Sequence, residues 1–203
     1  MHALIVVAHP EPHSLSHSIA ARVGQGVADA GGTYEIADLA AEGFDPRFGP
    51  ADLAVHRRKA PPPGDVAAEQ ARIDRADTLV LVYPVYWWSM PGLLKGWIDR
   101  VFSNGWAFED SPGGKLHKKL GRLKVHLVAI GGVDQGTMVR HGYDRAMATQ
   151  IDHGIFGYCG AQVVASEWMP NSESSDPLVK LDAAHRLGLG LFQAQREPEA
   201  ANA

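Results

Sequence analysis

Short apolar runs alternate along this chain with stretches whose apolar residues recur at helical spacing. Ala3 to Ala8 is a continuous run rich in β-branched residues, as a strand covered on both faces of a parallel sheet reads. After the polar turn His9 to Ser14, residues Ile19, Ala20, Val23 and Val27 mark a helix that Gly31-Gly32 ends. Thr33 to Ile36 reads as a second strand. Residues 42–65, rich in Pro, Gly and charge and closing on Pro61-Pro62-Pro63-Gly64, predict an ordered surface loop. A helix over Val66 to Ala76 precedes a third buried strand, Thr78 to Tyr83. Leu94, Trp97, Ile98 and Val101 share one face of a helix over Leu93 to Phe102. Val125 to Ile130 reads as a fourth strand, about 143–157 as a weakly patterned helix, and Ala161 to Ser166 as a fifth strand. A helix from Leu178 to Gln195 and a frayed tail, Glu197 to Ala203, close the chain.

Strands alternating with helices imply right-handed βαβ units. The expected fold is α/β: a doubly wound five-stranded parallel sheet with helices on both faces, in one domain over residues 1–203. Such sheets bind ligands beyond the carboxyl ends of their strands, so chemistry is sought in the loops after residues 8, 83 and 130.

Composition narrows the partners. With 45% hydrophobic residues and a net charge of −4, nothing points to nucleic acid or an anionic membrane surface. His56-Arg57-Arg58-Lys59 reads as a solvated loop. One cysteine, Cys159, permits no internal disulfide and no cysteine metal cluster, which fits a reducing compartment; it is expected to be a packed interior thiol. No signal peptide and no apolar run near the roughly 20 residues that span a bilayer stand out. A cytoplasmic location is expected.

The first loop, His9 to Ser18, lacks the glycine fingerprints of dinucleotide sites and P-loops. It offers Ser14, Ser16 and Ser18 with His9, His13 and His17 at a helix start. Free N–H groups there can hold a phosphate without lysine; a plain N-cap at Ser14 with surface histidines is the other reading. A zinc site from the histidines lacks a completing carboxylate or cysteine. In the second loop, Trp87-Trp88 followed by Ser89-Met90-Pro91-Gly92 is core packing or a platform for a planar ligand, with backbone donors for its polar rim. Gly131-Gly132 in the third is a tight turn or a place of close backbone approach. A phosphoacceptor receiver would need an aspartate where Pro84 stands.

Together these residues resemble the NAD(P)H:quinone oxidoreductases of flavodoxin-like fold, including ancillary flavoproteins of bacterial potassium-efflux systems. The likeness runs from Ala3 to about Val164 and is most specific from Pro84 to Phe102; Ala68-Glu69-Gln70 and Trp106-Ala107-Phe108 share it. The resemblance implies a flavin, FAD or FMN, with NAD(P)H as co-substrate and a quinone-like acceptor. It implies His9, Leu15 and Ser16 at the flavin phosphate region, with Ser14 and His17 as neighbours, and a flavin contact at Gln70. Pro84, Val85, Tyr86, Trp87 and Trp88 would line the isoalloxazine, and Gly131 and Gly132 its other rim. Trp88 and Phe108 resemble acceptor-pocket walls. Tyr158 stands where homodimers of the family contribute a ring from the partner subunit.

Two departures stand out. Ala129-Ile130 replace the family's frequent Thr-Thr. The family's tyrosine and histidine after the glycine turn do not align cleanly with Met138 to Tyr143, so His141, Tyr143 or neither takes their charge-neutralising role. The implied activity is two-electron, ping-pong hydride transfer from NAD(P)H through flavin to a quinone or similar electrophile, with His141 the first candidate proton donor. The alternative is a regulatory flavoprotein subunit of a potassium-efflux transporter. A one-electron flavodoxin would be more acidic.

Overall fold

The computed structural model describes residues 1–110 and 114–192. In chain order its elements are β1 (His2–Val7), α1 (Leu15–Asp29), β2 (Thr33–Asp38), α2 (Pro50–His56), α3 (Gly64–Arg75), β3 (Thr78–Pro84) and α4 (Gly92–Val101). There follow β4 (Phe108–Glu109), β5 (His117–Lys118), β6 (Lys124–Ile130), α5 (Gln135–His141), α6 (Tyr143–Met147), a π-helix (Ala148–Gly157), β7 (Gln162–Met169) and α7 (Pro177–Gly190). The long strands form one parallel five-stranded sheet in the order β2-β1-β3-β6-β7, as expected for the doubly wound fold; β4 and β5 make a separate antiparallel pair.

Alternation along the central strands divides the core. Leu4, Val6, Leu79, Leu81, Tyr83, Val125 and Leu127 pack on one face against Ile73, Leu94, Trp97, Met138, Ile151 and Phe156. On the other face Ile5, Val7, Val80, Val82 and Val128 meet Ile19, Val23 and Val27 of α1 and Ala184 of α7. Strands buried on both sides need apolar residues at every position, and that is why these runs lack polar alternation. Helices α1 and α7 touch backbone to backbone: a Cβ on Gly26 would stand 2.2 Å from the carbonyl of His185, and one on Gly188 2.2 Å from that of Val23.

Residues 42–65 are more ordered than a surface loop. They contain α2, whose start is fixed by Asp52 accepting from the Gly49 amide at 2.8 Å. Arg100 of α4, 8% exposed, pins the segment through Asp52 (3.0 Å), Asp65 (2.6 Å) and the Asp45 carbonyl (2.8 Å). The helix expected over 143–157 is α6 continuing into the π-helix, and β7 runs three residues beyond Ser166 to Met169. Burial pushes the Cys159 thiol up to about 11, as an interior cysteine requires. The end of the expected last helix at Gln195 and the tail Glu197 to Ala203 lie outside the described residues. Among the described residues, no helix is long and apolar enough to cross a membrane.

His126 in β6 is 5% exposed, and neither ring nitrogen has a hydrogen-bond partner among the described residues. Burial, with a smaller push from the Lys124 charge, lowers its pKa to about 4. An unfolded imidazole titrates near about 6.5, so on acidification the unfolded chain takes this proton first. The contribution to stability is complete above that value and is lost as pH falls toward the folded pKa. Between pH 7 and 5 the loss is roughly 2 kcal/mol. Urea unfolding at both pH values should show that loss in the wild type and its absence in His126→Leu; an equal loss in both would exclude His126 as its source.

Candidate active site

Three strand ends meet at the carboxyl edge of the sheet. β3 and β6 stay paired as far as Pro84 and Ile130, and the Val85 amide donates to the Ile130 carbonyl at 2.8 Å. Beyond Val85 the chain reverses tightly. Tyr86 and Ser89 exchange both backbone hydrogen bonds, at 3.0 and 3.1 Å, across Trp87 and Trp88. Both tryptophans sit at positive φ, 51° and 60°, the arrangement of a type I′ turn, which Asn and Gly ordinarily fill. Trp87 is 93% exposed. A large aromatic residue held in a left-handed conformation with its ring in solvent is a strained and wet arrangement, and such strain gathers at functional sites.

Across from this turn stand Gly131 and Gly132. Val85, Trp87, Trp88, Gly131, Gly132, Val133 and Trp168 enclose a cleft of about 150 Å³. Gly131 lies flat on Trp168 of β7: an added Cβ would come within 2.0 Å of the indole. Trp168 also forms a wall of a neighbouring, solvent-open pocket of about 210 Å³, together with Tyr83, Asp144, Asp152 and Ser166. Its Nε1 and the Asp144 Oδ1 are buried without a hydrogen-bond partner among the described residues. Burial raises the Asp152 pKa and, with the Asp152 charge adding to it, raises that of Tyr83.

The first loop supplies an end-on donor site. Ser14 caps α1, with its Oγ accepting from the His17 amide at 3.4 Å and lying 2.7 Å from His17 Nδ1. His17 Nε2 is 2.9 Å from Asp38 Oδ2 at the end of β2. The amides of Leu15 and Ser16 make no backbone bond among the described residues, and Ser16, 2% exposed, makes no side-chain bond there. These groups, at the positive end of a 15-residue helix, suit an anionic oxygen. His9 is half-buried beside them, its ring 6.2 Å from that of His17, while its Nδ1 accepts from the Glu11 amide.

Tyr143 and His141 stack in series on Trp88 beside the cleft without lining it. The Tyr143 ring stacks on Trp88 with centroids 3.6 Å apart and planes 8° from parallel, and His141 stacks on Tyr143 at 5.3 Å. Gly142, at φ 71°, makes the turn between α5 and α6 that brings them there.

Other candidates are elsewhere in the chain. Gln70 is buried, with its amide nitrogen committed to the Val101 carbonyl (2.9 Å) and Ser103 Oγ (3.0 Å). It borders a groove with Arg58, Lys59, Asn104 and Trp106 that shares no lining residue with the tryptophan cleft. Phe108 and Tyr158 meet edge to face at 5.2 Å, in an open groove of about 490 Å³ with Phe48, Leu53 and His56. Within one chain, Trp88 and Phe108 therefore do not wall the same pocket.

Sequence reasoning overlooked Asp38, Trp168 and Lys180. Lys180 in α7, 7% exposed, bonds the Ser175 hydroxyl and has no carboxylate partner among the described residues. A search extended to the ends of the second and fifth strands would have met Asp38 and Trp168.

Residues 1–186 match the family described as flavodoxin-like fold. The chain belongs to that family. Within it, the chain is similar to ribosyldihydronicotinamide dehydrogenase (quinone) of Pongo abelii, 32% identical over 184 residues that cover 81% of this chain and 79% of that protein. A glutathione-regulated potassium-efflux system ancillary protein of Enterobacter is 37% identical over 106 residues, about half of each chain (52% and 55%). Among solved structures, an NAD(P)H:quinone oxidoreductase from Methanothermobacter marburgensis superposes with a TM-score of 0.87 at 27% identity, over 94% of this chain and 98% of that one.

The strain at Trp87 has a measurable counterpart. Trp87→Gly removes a side chain with little contact and relieves a left-handed backbone that costs a non-glycine residue about 1–2 kcal/mol. Its unfolding free energy in urea should rise by about 1 kcal/mol; a fall would show that the indole is held by packing.

Proposed function

We propose that this flavodoxin-like protein is a flavin-dependent NAD(P)H:quinone oxidoreductase. The observation that carries the reading is the strained Trp87–Trp88 turn facing Gly131–Gly132 across a cleft, with free helix amides at Leu15 and Ser16 for a phosphate. The similarity to quinone oxidoreductases over four fifths of the chain or more supports it.

A bound flavin supplies two-electron chemistry between a nicotinamide and a quinone; the residues supply the rest. Leu15 and Ser16 hold the phosphate end, with His9 and the Ser14–His17 pair beside them. Val85 to Trp88 offer an apolar face and backbone donors to the ring system, and Gly131–Gly132 admit its other rim without a side chain in the way. Trp87 is the exposed surface that would take the planar ring system. Tyr143 and His141, stacked from Trp88 outward, are placed to hold and pass a proton at the cleft mouth. With the ring system seated on Trp87 and Trp88, the apolar lining would shield the reacting groups from water, which would strengthen electrostatic interactions there.

The remaining candidates act in a homodimer. Phe48, Leu53 and Tyr158 expose apolar surface around the Phe108 groove. A second copy covers that groove, and Phe108 and Tyr158 of one copy complete the acceptor pocket beside Trp88 of the other. Gln70 then serves the flavin of the second copy through its groove. Phe108→Ala should lower kcat/KM for a quinone severalfold while NAD(P)H-driven flavin reduction is unchanged; sedimentation as a monomer at working concentration would rule the shared site out.

The purified protein should be yellow, with a flavin absorption spectrum, and chromatography of the released cofactor tells FMN from FAD. A colourless protein that is neither bound nor stabilised by either flavin would sink the reading. In the holoprotein, His141→Gln should slow the reductive half-reaction in stopped flow; unchanged rates would remove His141 from the mechanism. The potassium-efflux relative supports a second reading, a regulatory subunit. Very slow turnover combined with co-purification of a membrane transporter would favour it.

A further inference from the structure

The hydrogen-bond roles at the start of α1 can be assigned from the outside inward. Asp38 Oδ1 accepts from the amides of Ala40 and Ala41 at 3.1 Å each, and Oδ2 lies 2.9 Å from His17 Nε2. Asp38 is an acceptor throughout, so Nε2 carries the proton of that bond. In a neutral imidazole the other nitrogen, Nδ1, is then a bare lone pair. Ser14 Oγ stands 2.7 Å from it and must donate its only hydrogen to the ring. One Ser14 lone pair is taken by the His17 amide. In this state Ser14 shows an incoming phosphate a lone pair where the phosphate needs a donor.

A proton on Nδ1 reverses the roles. The ring becomes a donor to Ser14 Oγ, and the serine hydrogen is free to turn to a phosphate oxygen. Asp38 balances the imidazolium, and the imidazolium offsets part of the phosphate charge at the helix terminus.

We propose that Ser14, His17 and Asp38 form a proton-linked phosphate latch, in which the phosphate end of the flavin binds together with one proton at His17 Nδ1. The proposal rests on the flavin reading above. Of these three, Ser14 touches the phosphate beside the Leu15 and Ser16 amides; His17 and Asp38 are positioning residues. Because linkage is reciprocal, bound phosphate favours protonated His17 as much as protonated His17 favours phosphate. The titratable groups around His17 are few. Asp38 faces it from β2, and His9 presents a ring edge from the loop after β1 at 6.2 Å. On α7, packed along α1, His185 is engaged with Asp29 at the far end of α1, and Lys180 with Ser175.

The test compares FMN with riboflavin, which has the same ring system and no phosphate, binding to the flavin-free protein. Fluorescence quenching is followed from pH 7.0 to 8.5, above the second ionisation of a phosphate monoester at about 6. FMN affinity should fall by up to about tenfold per pH unit as pH rises, and riboflavin affinity should stay flat. His17→Gln and Asp38→Asn should flatten the FMN profile and leave riboflavin binding unchanged, which also shows that the variants fold. Calorimetry in two buffers of different ionisation heat should find up to about one proton taken up with FMN and none with riboflavin. FMN affinity that is independent of pH, or that keeps its slope in His17→Gln, overturns the latch alone. If FMN, riboflavin and FAD all fail to bind the wild type, the flavin reading falls and the latch with it.

Discussion

The cleft exists because two consecutive tryptophans are held in the left-handed region of backbone space. Each such residue costs on the order of 1–3 kcal/mol, so the turn forms only where its surroundings over-determine it. The paired ladder of β3 and β6 delivers the chain to Val85 in a fixed direction. The reciprocal Tyr86–Ser89 bonds then close the turn, Ser89 Oγ ties it to Gln150 of the π-helix at 2.7 Å, and Tyr143 lies flat on Trp88. The π-helix, α6 and the central strands are thus all engaged in keeping one short reversal in place. What they hold up is the face of Trp87, which by itself gains nothing from burial.

Much of the sheet was legible because its strands are short, apolar and β-branched, a pattern that tertiary context rarely overrides. The helix over Leu93 to Phe102 was equally plain, since Leu94, Trp97 and Val101 recur on one face. Residues 42–65 read as a loop because α2 is only seven residues long and lies between stretches rich in Pro, Gly and charge; its order comes from Asp52, Asp65 and the distant Arg100, a partnership no local pattern encodes. After β6 the helix over about 143–157 was legible but weakly patterned, and the short α5 before it was missed. Gly142 splits α5 from α6, and the widened π turns spoil a 3.6-residue period. For the site, adjacency in sequence revealed the serine loop, the tryptophan pair and the glycine pair. The stacking of Tyr143 on Trp88, the reach of His17 to Asp38 and the seat of Gly131 on Trp168 are through-space facts between residues 21 to 55 positions apart.

Charge is used mostly for fastening. Arg72 gathers Glu35, Glu42 and Glu69, and Glu69 also accepts from the buried Trp97 indole at 2.8 Å. These bonds tie β2, at the edge of the sheet, to the segment after it and to α3 and α4, which the parallel ladder does not hold. They stand apart from the cleft. Among the described residues, polar groups without partners include Ser16 at the start of α1 and, in the pocket beside the cleft, Asp144 Oδ1 and Trp168 Nε1.

Trp168 has a consequence of its own for how such a pocket can change over time. The cleft floor is set from behind by a side chain on β7, and β7 is an edge strand with one neighbour. A substitution there alters no central ladder, and Trp168 is the one lining residue that the cleft shares with the neighbouring pocket. Depth can therefore change cheaply at this site: a smaller residue on the sheet's margin would join the two spaces without moving the tryptophan turn or the start of α1.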